Sequence, residues 1–232
     1  MKTLTFVRHA QSVANAGGVT MVHDAIPLSE LGVLQARELA TLLKPKPASV
    51  QVSCFIRTRL TADPFCERCS QQIEVNPYLH EFSLIDPALI EGLDGEQRKP
   101  FVKAYWDDPD PHRRHGAESD TFAEFAARVG EFLEQMDTLP DGTVIFGHGI
   151  WFALLLWRLL GYRVIDTADM RAFRRFQLGL PMPNCAVFTL VGVGDGRWSV
   201  QANTEIARHI AVVSQAYRDR VAAAQLNQVP MK

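Results

Sequence analysis

The sequence predicts an α/β fold, a three-layer α/β/α arrangement around a mostly parallel central sheet, and three observations carry that expectation. Short β-branched apolar runs alternate with longer segments in which apolar residues return every three or four positions. Two of these runs end in a turn that carries a histidine, as strands do when their carboxyl ends line a ligand crevice. With 232 residues, 47% hydrophobic and 22% charged, the chain can bury a sheet on both faces and leaves little room for extended disorder. Residues 1–232 are expected to form one domain.

Residues 3–7 read as a buried strand, and Gly17 and Gly18 mark the loop after it. Ser29 is the N-cap of a helix carrying Leu31, Leu34, Leu39, Leu42 and Leu43 at near-helical spacing, stopped by Pro45 and Pro47. Residues 50–55 read as a second strand, followed by a helix over 58–70 in which Pro64 is a kink or a first-turn residue. Residues 76–119 lack periodicity, carry prolines, acidic residues and Trp106, and are expected to run as an excursion over the rim of the site. Phe122, Phe125, Ala126, Val129, Phe132, Leu133 and Met136 keep helical spacing with charges opposite. Residues 143–146 form a third strand, and Gly147-His148-Gly149 turns into a helix over 150–160 that Gly161 ends. Residues 186–192 and 198–202 pair as a hairpin around Gly194-Asp195-Gly196, and a helix over 204–226 follows.

A formal charge of −2 gives no basic footprint for nucleic acid or an anionic membrane, so any basic site must be local. The opening MKTLTFVRHA lacks the pattern of a secretory signal, and the longest apolar run, residues 150–157, is too short to span a bilayer. Cys54, Cys66, Cys69 and Cys185 are too few for a disulfide scaffold, and the Cys66/Cys69 pair has no second pair at zinc-site distance. Reduced thiols in a cytoplasmic protein, with no metal and no cofactor, are the expectation.

His9 after the first strand and His148 after the third belong to one crevice, and Arg57, just past the second strand, belongs to its rim. Imidazoles and guanidiniums converging on one rim suit a dianionic ligand with forked oxygens, of which phosphate is the commonest. Taken singly, each of these residues reads as structural or as a solvated cap. The repeated placement of histidine after a strand tips the reading toward a site.

Arg8-His9, Asn15, Ser53 with Arg57-Thr58 and Thr61-Ala62, Glu81, Glu118-Ser119, and Gly147-His148-Gly149 occur in an order that resembles the histidine phosphatase superfamily, also called phosphoglycerate mutase-like. Leu28-Ser29, Gly32, Gln35 and Ala36 resemble that family's first helix, and Asn184 an asparagine at a late strand; the likeness runs from residue 2 to about residue 190. It implies a phosphoglycerate mutase-like fold and a phosphatase acting on a small phosphorylated metabolite through a phosphohistidine on His9. It further implies that Arg8, Arg57 and His148 hold the phosphoryl oxygens, supported by Ser12, Asn15 and Gly149, and that Glu81 is the acid. A raised pKa from partial burial is expected for Glu81. Asp86 and Glu91 are alternatives for the acid.

The chain departs from the family's usual R-H-G-E-T, reading Arg8-His9-Ala10-Gln11-Ser12. Ala10 fits if its backbone has negative φ, Gln11 argues against the usual ion pair, and Ser12 can donate to phosphate or cap the next helix. The stretch typical of cofactor-dependent mutases, Y-G-x-L-x-G-x-x-K, does not occur after Glu81, which favours a phosphatase over mutase-type transfer. A non-catalytic phosphate-binding module is a further alternative, as is a homodimeric scaffold built on Trp151, Trp157 and the last helix. Arg113-Arg114-His115 and Arg171, Arg174 and Arg175 read as solvated charge, or as a site for a second anionic group on the substrate.

Overall fold

The computed structural model describes residues 2–226. Strand β1 (Lys2–Arg8) lies inside a six-stranded sheet of order β3-β2-β4-β1-β5-β6. Here β2 is Val50–Val52, β3 Ile73–Val75, β4 Thr143–Gly147, β5 Val187–Gly194 and β6 Arg197–Ala202. β3, β2, β4 and β1 run parallel, and β5 and β6 form the antiparallel hairpin read from the sequence. The register pairs Arg8 with Gly147 and Val52 with Phe146, so the residues following β1, β4 and β2 emerge at one edge of the sheet.

The helices are α1 (Glu30–Leu42), α2 (Ile56–Cys69), α3 (Gly95–Asp107), α4 (Phe122–Gln135), α5 (Gly149–Leu159), α6 (Thr167–Gly179) and α7 (Thr204–Leu226). Because side chains alternate along a strand, Leu4 and Phe6 of β1 pack with the aromatic faces of α4 and α5, while Val7 packs with α1, α2 and α7. This is the three-layer architecture with helices on both faces. Phe6 stacks on Phe152 with ring centroids 3.9 Å apart, anchoring the strand that ends in the first histidine to the helix that follows the second.

Local signals account for the helix ends. Ser29 Oγ accepts the Gly32 N–H at 3.0 Å, as an N-cap should, and Thr121 and Glu124 close a reciprocal capping box at α4. Gly161, at φ +87°, ends α5: its N–H meets the Arg158 carbonyl and that of Tyr162 the Trp157 carbonyl.

Several expectations need correction. The second strand stops at Val52, because Ser53 and Phe55 turn the chain into α2, and Pro64 lies in the interior of that helix. Residues 76–119 contain α3, whose capping box joins Asp94 and Gln97 and whose Pro100 obscures the pattern. Helix α6 lies where the sequence shows a cluster of arginines, with Met170 and Phe173 buried beneath it. The short edge strand β3 has no buried side chain to reveal it. Trp151 is fully buried and Trp157 nearly so, so neither offers a surface for a dimer; their indole N–H groups reach the carbonyls of Tyr78 and Arg163.

Gly32 is where α1 comes closest to the loop after β1: a Cβ there would stand 1.9 Å from the Gln11 carbonyl oxygen. Gly32→Ala must therefore push either the helix or that loop. It is expected to destabilise the fold by about 1–3 kcal/mol, read as a lower midpoint in urea with unchanged slope.

Candidate active site

Four chain segments deliver the site. β1 ends in Arg8 and His9, β4 leads into His148, β2 into Ser53 and Phe55, and the first turn of α2 supplies Arg57. The His9 N–H donates to the Gly147 carbonyl at 3.0 Å, tying the two histidine-bearing turns together. The His9 and His148 rings meet edge to face, with centroids 5.2 Å apart.

His9 is 4% exposed. Its Nδ1–H donates to the Ala10 carbonyl at 2.7 Å, which places the lone pair of the neutral ring on Nε2. That atom faces the guanidinium of Arg57, whose Nε–H lies 3.3 Å away. Burial first, then the charges of Arg57 and Arg8, push the His9 pKa well below the ordinary histidine range, so the ring is neutral at neutral pH. Arg57 is itself buried, stacked 4.7 Å over the Phe55 ring and bonded through Nη1 to the His23 carbonyl at 2.8 Å. Burial lowers its pKa to about 10, which leaves it charged. Arg8 is fixed by a hydrogen bond from Nη1 to the Met182 carbonyl, while its Nε is buried with no partner among the described residues.

His148 is fully buried, and its pKa is pushed well down by burial and then by Arg57. Its Nε2 lies 2.7 Å from Ser53 Oγ, and its Nδ1 is buried without a partner among the described residues. If the Ser53 hydroxyl donates to Nε2, the ring proton sits on Nδ1, a donor with nothing yet to donate to.

Glu81 arrives from the segment after β3 and sits on the amino terminus of α5. Its Oε2 accepts the Ile150 N–H at 3.0 Å, and its Oε1 those of Trp151 at 2.9 Å and Phe82 at 3.0 Å. These bonds and Arg57 favour the carboxylate, yet burial outweighs them and raises the pKa above the usual glutamate value. The α5 amino terminus thus holds a carboxyl group at two of its N–H groups.

Arg8, His9, Ser12, Asn15, Arg57, Glu81 and Gly149 all line one cleft of about 440 Å³. His148 does not line it; it lies behind His9. A profile of the histidine phosphatase superfamily (branch 1) matches residues 4–205. The chain belongs to the histidine phosphatase superfamily. With that membership it is an enzyme of the phosphatase type. It is 30% identical over 166 residues to a probable phosphoglycerate mutase of Photorhabdus laumondii, covering 69% of this chain and 76% of that one. It is equally 30% identical over 174 residues to an adenosylcobalamin/alpha-ribazole phosphatase of Salmonella typhimurium, covering 74% and 84%. Among solved structures, a mycobacterial glucosyl-3-phosphoglycerate phosphatase complexed with VO3 superposes with a TM-score of 0.66 at 27% identity, over 87% of this chain and 98% of that one.

Within this histidine phosphatase, the unusual Ala10-Gln11 pair has a structural account. Ala10 is fully buried without positive φ, and its N–H donates to Thr61 Oγ1 at 3.0 Å. Gln11 Oε1 accepts the Ser29 hydroxyl at 2.7 Å, so the amide braces the α1 cap where a carboxylate would bring charge. Ser12 caps no helix: its Oγ accepts the Asn15 N–H at 3.2 Å, shaping the turn at the cleft wall.

Other expected residues lie elsewhere. Asp86 and Glu91 line a neighbouring cavity and not the His9 cleft. Arg113 pairs with Asp108 at 2.7 Å, Arg114 pairs with Glu124, and Arg174 stacks 4.6 Å over Trp106; none of the three lines either cavity. Sequence reasoning missed the support of Ser53 for His148, the carbonyl of His23 on Arg57, and the bonds of Asn184, whose Nδ2 bridges the His9 carbonyl at 3.1 Å and Asn15 Oδ1 at 3.0 Å. Ser53 carried a signal, since it stands directly after a strand as the two histidines do, and Asn184 was marked by the family resemblance alone.

Proposed function

We propose that the protein hydrolyses a small phosphomonoester through a phosphohistidine formed on Nε2 of His9, the whole chain acting as one catalytic domain in the cytoplasm. The observation that carries this reading is the fixed His9 ring. Its Nδ1–H is committed to a carbonyl, and its Nε2 lone pair faces the Arg57 guanidinium on a ring held in the only form, neutral, that can attack phosphorus.

The Nε2 lone pair forms the N–P bond as the P–O bond to the alcohol breaks, and protonated Glu81 gives its proton to the departing oxygen. Oε2, which accepts only one backbone N–H, is the oxygen with room for that proton. Arg57 Nε–H exchanges its contact with His9 Nε2 for a phosphoryl oxygen and Arg8 Nε takes a second, while His148, outside the cleft wall, packs edge to face on the His9 ring. Two cations then meet a dianion, with Ser12, Asn15 and Gly149 completing the wall. In the second half, Glu81 as carboxylate takes a proton from water while that water's oxygen bonds phosphorus and the N–P bond breaks. Phosphate leaves and both groups return to their starting states.

The VO3 complex of the mycobacterial relative supports an oxyanion site in this fold. Rapid quench with a 32P-labelled aryl phosphate should trap label that is lost in acid, retained in base and located on His9. Turnover without such label would sink the covalent route.

A further inference from the structure

A second cavity of about 560 Å³ adjoins the His9 cleft and shares two of its walls, His23 and Phe55. Five carboxylates line it: Asp24, Asp86, Glu91, Glu118 and Asp120. Asp120 is neutralised by Arg128 at 2.8 Å. Asp86 is held ionised by the N–H groups of Ala88 at 2.9 Å and Glu118 at 3.0 Å, while Asp24, Glu91 and Glu118 are exposed at the mouth. Among the described residues, no lysine or arginine lines the cavity. Burial keeps its histidines, His23 and His80, below their ordinary pKa and hence neutral at neutral pH. The remaining wall is mostly apolar, including Met21, Val22, Phe55 and Pro87, with the hydroxyl residues Thr20 and Ser83 among them.

The two adjoining spaces therefore have opposite character: guanidiniums in one, carboxylates around a largely apolar wall in the other. We propose that the second cavity receives the alcohol portion of the substrate and selects phosphomonoesters whose alcohol carries an amine or ammonium group on an apolar body. A carboxylate-bearing alcohol placed there would lose water to an apolar wall and meet only like charge. An ammonium group would meet carboxylates of the opposite sign, in a space large enough for a metabolite-sized group. This selectivity rests on the phosphatase reading for the position of the phosphate, and goes beyond it in assigning the chemistry of the leaving group.

Non-hydrolysable phosphonates test the cavity without turnover. Calorimetric titration would compare 5-aminopentyl-, pentyl- and 5-carboxypentylphosphonate, with methylphosphonate as the probe of the phosphate cleft alone. The amine should bind about tenfold tighter than the alkyl compound and the carboxylate about tenfold weaker, at a few-fold per exposed carboxylate. In the Glu91→Gln/Glu118→Gln double variant the spread should shrink to about threefold, with methylphosphonate unchanged. Equal binding of amine and carboxylate, or a spread that survives the substitutions, overturns the proposal. Absence of binding by any phosphonate overturns both readings. Failure to turn over phenyl phosphate, with the binding order intact, sinks the phosphatase reading alone.

Discussion

His9→Ala is expected to lower kcat for phenyl phosphate by about 10⁴-fold or more, with inorganic phosphate still bound within about threefold of wild type. The two halves of this expectation come from different atoms. Turnover needs the Nε2 lone pair, which no neighbouring group can replace: His148 is fully buried, does not line the cleft, and has its Nε2 engaged with Ser53. Binding needs charge, and Arg57 keeps its position through His23 and Phe55 while Arg8 keeps its bond to Met182. The substitution deletes the Nδ1–H bond to Ala10, worth about 1 kcal/mol, so a folded protein is expected. A variant that keeps more than about one hundredth of wild-type kcat would mean that water attacks phosphorus directly and displaces the alcohol, with the arginines acting alone.

How much of this was legible in the sequence follows from the range of the interactions involved. The two histidines and Arg57 were readable because each stands within five residues of a strand end, and strand ends of a parallel sheet converge. The N-cap at Ser29 and the stop at Gly161 were local and equally plain. The contacts of Asn184 and His23 were not, since they are made by an amide and a main-chain carbonyl across 175 and 34 residues of chain with no periodicity to mark them, and only the resemblance pointed to Asn184. Helices α3 and α6 escaped for another reason: Pro100 interrupts the first, and the second buries few residues under a charged outer face. Of the two readings of the arginine clusters, the pairing in space of Arg113 and Arg114 favours solvated surface charge over a second anion site. Arg113 and Arg114 are spent on Asp108 and Glu124, and the cavity beside the cleft is lined by carboxylates.

Glu81→Gln separates the two chemical steps. The amide keeps the size of the carboxyl group and can still accept the Trp151 and Phe82 N–H groups through its oxygen, although its NH2 then faces the Ile150 N–H. It cannot deliver or remove a proton. For an alkyl phosphate, whose alkoxide leaves poorly, kcat/KM is expected to fall by about 10²–10⁴-fold. For 4-nitrophenyl phosphate, whose leaving group needs no proton, kcat/KM should change far less, because transfer to His9 proceeds unaided. Hydrolysis of phosphohistidine still lacks its base, so one equivalent of nitrophenolate should appear in a burst, followed by slow turnover. The pH profile sharpens the assignment. His9 becomes a nucleophile as pH rises through its lowered pKa, and Glu81 ceases to be an acid as pH rises through its raised one. The wild-type kcat/KM for an alkyl phosphate should therefore be bell-shaped, with its acid limb below about pH 6.5, the ordinary histidine value. In Glu81→Gln the alkaline limb should vanish while the acid limb stays. An alkaline limb that persists would assign the acid to another group, and a burst absent under those conditions would remove Glu81 from the second step.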